Sequence, residues 1–188
     1  MKIIAATGNK GKLKEIKEIF SEDEIVSYKE AGFDVDIEED AKTFEGNALK
    51  KAIAIAKVSR EMCLGDDSGI MIDYFSGWPG VKTARWMQGS DREKNLAIIE
   101  RMKGIPRGRR IAHWVTAIAI VDKDGNKWAT TYSVDGFISL QPRGENGFGF
   151  DEIFELPNGK TLAELSDEEK NEIGARKKAL EKVRNIIK

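Results

Sequence analysis

The sequence predicts a single mixed α/β domain, and three stretches carry that reading. "KIIAATGNKGKLKEI" (residues 2–16) runs from an apolar β-type segment through a Gly/Lys loop into a charged helix, the opening of a βαβ-like unit. "TFEGNALKKAIAIAKVSREM" (43–62) sets small apolar residues along one side of a long helix. "RRIAHWVTAIAIVDKDGNKWATTYSVDGFISL" (109–140) has long β-branched arms about Asp124-Gly125, the pattern of a β-hairpin. Together they imply a partly parallel central sheet covered by helices.

The remaining elements follow in order. "KIIAA" (2–6) is a buried strand, and "GKLKEIKEIF" (11–20) is a helix because Leu13, Ile16, Ile19 and Phe20 fall at helical spacing. "EIVSY" (24–28) is a second strand, followed by the long helix 43–62. "CLGDDSGIMIDYF" (63–75) predicts two short β-type runs around Asp66, Asp67, Ser68 and Gly69, then the turn "SGWPG" (76–80). "DREKNLAIIERMKG" (91–104) is a helix stopped near Gly104 and Pro106. The segment 166–188 opens on a capping-box pattern, Ser166 and Glu169, and continues as one helix. Its interior Gly174 costs about 1 kcal/mol relative to alanine, which marks a bend or a close ligand approach. No repeat, low-complexity tract or linker interrupts the order, so residues 1–188 read as one domain.

Composition narrows the function classes. The 31 Lys and Arg nearly cancel the 32 Asp and Glu, so no global field draws the chain to nucleic acid or an acidic membrane. Any anionic ligand must meet a local cluster. No apolar run approaches the ~20 residues of a membrane span. Lys10, Lys12 and Lys14 interrupt any signal-peptide core. The lone cysteine, Cys63, excludes an intramolecular disulfide framework and a Cys-rich zinc site. The expectation is a soluble cytoplasmic protein with no nucleic-acid or membrane partner.

Several motifs can carry chemistry. In "TGNKGK" (7–12) the glycines permit close backbone approach, amides at a helix N-terminus face an anion, and Lys12 adds a mobile charge. The spacing is neither a Walker A loop nor a Rossmann fingerprint, and an ordinary strand-to-helix turn explains it equally well. "GDDSG" (65–69) puts two carboxylates and a hydroxyl at an expected strand end, suited to Mg²⁺ or to a plain acidic turn. Glu38, Glu39 and Asp40 precede the long helix, where acids also complement a helix N-terminus. Asn47 and Lys51 share a helix face and read as an exposed polar stripe. "GENGFGFDEIF" (144–154) is glycine-rich, with Phe148 and Phe150 able to stack on a base or simply to join the core. Lys170, Arg176 and Lys177 sit in a charge run that is ordinarily solvated, and His113 lacks a partner in sequence.

Taken in order, "ATGNKGK", "TFEGNALKKA", "DDSG", "GWPGVKTAR", "GFGFDEIF" and "LSDEEKNEIGARKKAL" resemble the inosine triphosphate pyrophosphatase family, the house-cleaning non-canonical purine NTP pyrophosphatases. The likeness spans essentially the whole chain. It implies a two-lobed α/β fold around a long mixed sheet with a cleft between the lobes, and a homodimer. The implied reaction is Mg²⁺-dependent cleavage of ITP, XTP or dITP to a monophosphate and pyrophosphate. By the resemblance, Thr7, Gly8, Asn9, Lys10, Gly11 and Lys12 form the triphosphate loop. Asp67 is the proton acceptor and a metal ligand, Glu38 is the other metal carboxylate with Glu39 its rival, and Lys51 faces the phosphates. Ser68, Phe148, Gly149, Phe150, Asp151, Lys170, Ala175 and Arg176 match substrate-contacting positions.

The chain departs from the family pattern where the base is read. Gly174-Ala175 stand for Ser-His, Phe150 for a tyrosine and Glu152 for a proline. A lost neutral hydrogen bond is worth about 0.5–1.5 kcal/mol, enough to retune base preference without abolishing phosphate chemistry. Two alternatives therefore stand beside the leading expectation: the same chemistry on a different base, or a nucleotide-binding module with little turnover.

Overall fold

The structure, a computed structural model, describes residues 1–187. Strand β1 (Lys2–Ala5) leads into helix α1 (Lys10–Ile19), then strand β2 (Glu24–Ser27), helix α2 (Phe44–Ser59) and strand β3 (Met62–Ile72). A two-residue strand β4 (Trp78–Pro79) precedes helix α3 (Asp91–Arg101). Strands β5 (Ile111–Val121) and β6 (Lys127–Ile138) form the expected hairpin, followed by β7 (Phe154–Glu155), α4 (Asp167–Ile173) and α5 (Ala175–Ile187). The sheet order is β2-β1-β3-β5-β6-β7, with β4 paired to β3. β1 pairs in parallel with β2 and β3, whereas β3–β4 and β6–β7 are antiparallel. The mixed α/β class read from the sequence is the observed one.

The chain divides into two compact units: Met1–Asp67, Thr116–Tyr132 and Ala175–Lys188 in the first, Ser68–Val115 and Ser133–Gly174 in the second. In the first unit β1 alternates between two cores. Ile3 and Ala5 pack with Ile16 of α1, with Phe20 at its C-terminal cap, and with Ala179, Leu180 and Val183 of α5. Ile4 and Ala6 pack with Ile55 and Cys63, and Phe33, Val35 and Ile37 lie against that cluster. Covering both faces explains why a strand this short reads as a continuous apolar run. In the second unit Ile70, Ile72, Trp114, Ile138 and Phe154 enclose a core with Ile98 of α3 and the following Met102.

Four expected boundaries differ. The acidic motif does not separate two short runs, because β3 continues unbroken through Asp66 and Asp67. It sits between β1 and β5, and backbone pairing along the strand overrides the turn preference of Asp-Asp-Ser-Gly. Helix α1 starts at Lys10, so the loop proper is Thr7 to Asn9. Helix α2 stops at Ser59, where Arg60 adopts a left-handed conformation, short of the expected Met62. The last segment is two helices, since Gly174 is extended (φ −64°, ψ 136°) and ends α4. Among the described residues no helix is long and apolar enough to cross a membrane.

Candidate active site

In the first unit the site grows from the packing of α2 on β3. A Cβ on Gly65 would lie 2.0 Å from the Ala48 carbonyl oxygen, so only glycine lets the helix approach this closely. Ala48 and Ala52, both fully buried, keep the facing side of α2 small. That approach brings Asn47 and Lys51, predicted as an exposed stripe, under cover beside Asp67. Asn47 is fully buried and Lys51 is 8% exposed. Asn47 Nδ2 donates to Asp67 Oδ2 at 3.1 Å. Lys51 Nζ donates to Asp67 Oδ1 at 3.0 Å and to the Asp66 carbonyl at 3.2 Å, and lies 3.1 Å from Glu39 Oε1. Its three N–H groups thus meet three oxygens. Burial alone would lower the Lys51 pKa, but Asp67 and Glu39 outweigh it and raise the value. For Asp67 burial is the larger effect and raises its pKa despite Lys51 and Asn47.

Glu39, rather than Glu38, reaches this cluster. From Ala31 to Asp40 exposure alternates, with Phe33, Val35, Ile37 and Glu39 on the more covered side and Glu38 exposed. The period-2 pattern of "FDVDIEED" carries that information, because apolar residues at 33, 35 and 37 put 39 on the same face. The charge run obscures it.

Asp66, read from the sequence only as one of two carboxylates suited to Mg²⁺ or to a turn, meets two cations. Its neighbour Asp67 points to α2, whereas the fully buried Asp66 side chain accepts Arg176 Nε at 2.7 Å and pairs with the Lys12 ammonium. Arg176 also binds Glu15 on α1. Lys12 and Arg176, which come from opposite ends of the chain, share one carboxylate. Burial would raise the Asp66 pKa, but Arg176 and Lys12 override it and hold the group far below the ordinary aspartate range. Burial lowers the Lys12 pKa despite Asp66. Lys12, expected as a mobile charge, and Arg176, expected in a solvated run, are held in place instead. The loop before α1 is shaped locally: Thr7 Oγ1 accepts Asn9 N–H at 3.2 Å, and Asn9 caps the helix by accepting Lys12 N–H at 3.1 Å. Gly8, Asn9 and Lys10 are exposed. In this cluster three cations, Lys12, Lys51 and Arg176, face four carboxylates, Glu15, Glu39, Asp66 and Asp67.

In the second unit the predicted residues gather around Asp151, which is 4% exposed. Its Oδ2 accepts Phe148 N–H at 2.9 Å and Lys170 Nζ at 2.7 Å. A Cβ on Gly147 would lie 2.1 Å from that oxygen, and Gly147 has φ +82°, so glycine is required there. The Lys170 ammonium stands 4.5 Å from the Phe148 ring centroid and 5.7 Å from that of Trp114. Phe148 is half-buried, whereas Phe150 packs edge-on to Trp114 and joins the core. Ser68 is half-buried and opens this unit on β3. A Cβ on Gly174 would lie 3.0 Å from the Lys170 carbonyl oxygen and 3.5 Å from Trp114 Cη2. Ala175 is fully buried.

Comparison with known proteins covers nearly the whole chain. A model of the Ham1 family matches residues 3–186. A dITP/XTP pyrophosphatase of Desulforamulus reducens is 39% identical over 192 residues, covering 100% of this chain and 96% of that protein. The dITP/XTP pyrophosphatase of Bacillus subtilis is 40% identical over 189 residues, covering 98% and 96%. The solved structure of a HAM1 protein from Coxiella burnetii superposes with a TM-score of 0.89 at 32% identity, covering 100% of this chain and 98% of that one.

Proposed function

Because this chain belongs to the Ham1 family, we propose that it hydrolyses non-canonical purine nucleoside triphosphates, ITP, XTP and dITP, to the monophosphate and pyrophosphate. The observation that carries the reading is the Asp67 carboxylate, buried and held from two sides by Lys51 and Asn47. A buried carboxylate fixed in this way is suited to accept a proton from water. That water forms the new bond to the α-phosphorus, the bridging P–O bond breaks, and pyrophosphate leaves with the electron pair. We assign Lys12 and Lys51 to the phosphate oxygens and the Thr7 to Lys12 segment to the triphosphate. Ser68 and the Phe148 to Asp151 loop with Lys170 are assigned to the nucleoside, Phe148 offering the ring to stack on the purine. Residues 1–188 then act as one catalytic domain.

The chemistry of the donor set favours a divalent cation. Two carboxylates, Asp67 and Glu39, already converge on one positive group, and in the linked cluster the four carboxylates Glu15, Glu39, Asp66 and Asp67 outnumber Lys12, Lys51 and Arg176. A polyanionic substrate therefore needs added positive charge. Asp67 and Glu39 would hold Mg²⁺, which takes one or two carboxylates and completes its shell with phosphate and water. Bound there, Mg²⁺ supplies charge neutralisation at the phosphates. The lone cysteine, Cys63, allows no disulfide within the chain, which suits a reducing compartment, and following the family likeness we place the enzyme in the cytoplasm as a homodimer.

A second reading keeps the chemistry but alters the base, because Gly174 and the buried Ala175 offer no polar side chain. A panel of NTPs and dNTPs, scored for pyrophosphate, tests both. The proposal expects pyrophosphate from ITP, XTP and dITP and its loss in Asp67→Asn. Orthophosphate release, or full turnover by Asp67→Asn, would overturn it, and preference for an amino-purine would establish the second reading.

A further inference from the structure

Two polar side chains at the start of α3 reach across to the aromatic loop and grip one residue of it. Asp91 Oδ2 accepts Gly149 N–H at 2.8 Å, and Asn95 Nδ2 donates to the Gly149 carbonyl at 2.8 Å. The second hydrogen of the same Asn95 amide goes to Glu152 Oε1 at 3.0 Å, and Arg92 holds the other oxygen of Glu152 at 2.6 Å. Asn95 is 3% exposed, so both of its bonds replace water rather than compete with it. Gly149 has φ +63° and no heavy atom within 4 Å of where a Cβ would stand. Its conformation is thus set by the grip on its peptide groups and not by crowding. Gly149 lies between Phe148 and Phe150, so fixing its two peptide planes constrains the backbone from which both rings project. Phe150 is independently anchored against Trp114. The half-buried Phe148 is held on one side by Asp151 and Lys170, and the grip fixes the peptide on its other side.

We propose that Asn95, with Asp91 and Glu152, is a positioning residue that sets the Phe148 ring as a purine platform and so governs affinity for the nucleoside. The proposal rests on the function proposed above and assigns a role to Glu152, whose carboxylate links Arg92 and Asn95. It predicts a division between ligands: a purine triphosphate needs the platform, whereas inorganic tripolyphosphate presents no ring to it.

The test measures KM and kcat for ITP, and calorimetric binding of inorganic tripolyphosphate with Mg²⁺, in wild type, Asn95→Ala, Phe148→Ala and the double variant. Asn95→Ala is expected to raise KM for ITP about tenfold, the scale of one or two lost hydrogen bonds. It should leave kcat within about threefold, with tripolyphosphate binding unchanged. The double variant should be no worse than Phe148→Ala, because Asn95 acts through that ring. Equal losses on both ligands, an unchanged KM, or additive effects would overturn the proposal. If Asn95→Ala does not fold, Asp91→Ala, which removes the acceptor of the Gly149 N–H, decides the same question with a smaller KM rise expected. A wild type that binds ITP without releasing pyrophosphate would defeat the function reading alone, and the comparison then uses Kd for ITP in place of KM.

Discussion

Gly65 of β3 and Ala48 of α2 touch backbone to backbone: a methyl group on Gly65 would fall 2.0 Å from the Ala48 carbonyl oxygen. The strand carries Asp67 and the helix carries Asn47 and Lys51, so this close approach lets both helix side chains reach the Asp67 carboxylate.

Gly65→Ala is therefore expected to damage stability and catalysis together. Overpacking of a close contact costs about 1–3 kcal/mol, and an ångström of misplacement at a reacting centre costs about a hundredfold in rate. Urea melts and pyrophosphate release measure the two effects. A variant as active as wild type would show that the approach of helix to strand does not set the site.

Glu39 and Glu38 should behave differently. Glu39→Gln is expected to raise the Mg²⁺ concentration for half-maximal activity by at least about tenfold, the scale on which groups supporting a metal site act. Glu38, exposed and outside the Lys51 cluster, should tolerate Gln with little change. Magnesium titration of both variants, with chelation of wild type as the zero point, checks this. The reverse order would restore Glu38 as the ligand.

Asp66→Asn removes the shared counter-charge of Lys12 and Arg176. Leaving buried cations unpaired costs about 3–5 kcal/mol at neutral pH. The folded-state pKa of Asp66 is depressed, so its stabilisation is present above the unfolded value of 3.8 and is lost as pH falls below it. Urea midpoints should thus differ most between wild type and variant near neutrality and draw together in acid. A constant difference down to about pH 2 would contradict the assignment.

His113 supplies the opposite pH signature. Its ring is buried enough to disfavour the charged form, but Asp135 at 2.8 Å and Asp73 at 3.0 Å prevail and raise its pKa. Its contribution to stability is fully present below the unfolded value of 6.5 and is lost as pH rises through the folded pKa. Thermal melts of His113→Gln should lie below wild type near pH 6 and converge with it by about pH 9. Convergence in acid and divergence in base would refute the arrangement.

Much of the fold was legible because it depends on local pattern. Helical spacing of Leu13, Ile16, Ile19 and Phe20 marks α1, and Asp124-Gly125 marks the β5–β6 turn, where Asp122 accepts the backbone N–H groups of Asp124 and Asn126. The acidic motif misled because its residues favour turns when isolated, whereas partners on either side make β3 a central strand. The Lys51 stripe misled for a related reason. A polar helix face looks solvated until a glycine on another element allows a strand to cover it.

The sequence by itself determined the α/β class, the order of the motifs, and residue types suited to phosphate, cation and purine, because periodicity and composition act over short distances along the chain. Only the tertiary structure decided which charges meet. It joined Lys12 and Arg176, 164 positions apart, on Asp66, chose Glu39 over Glu38 for Lys51, and gave Gly149 to Asp91 and Asn95. Pairing of buried charges is a property of the folded interior, where each must find a partner whatever its distance along the chain.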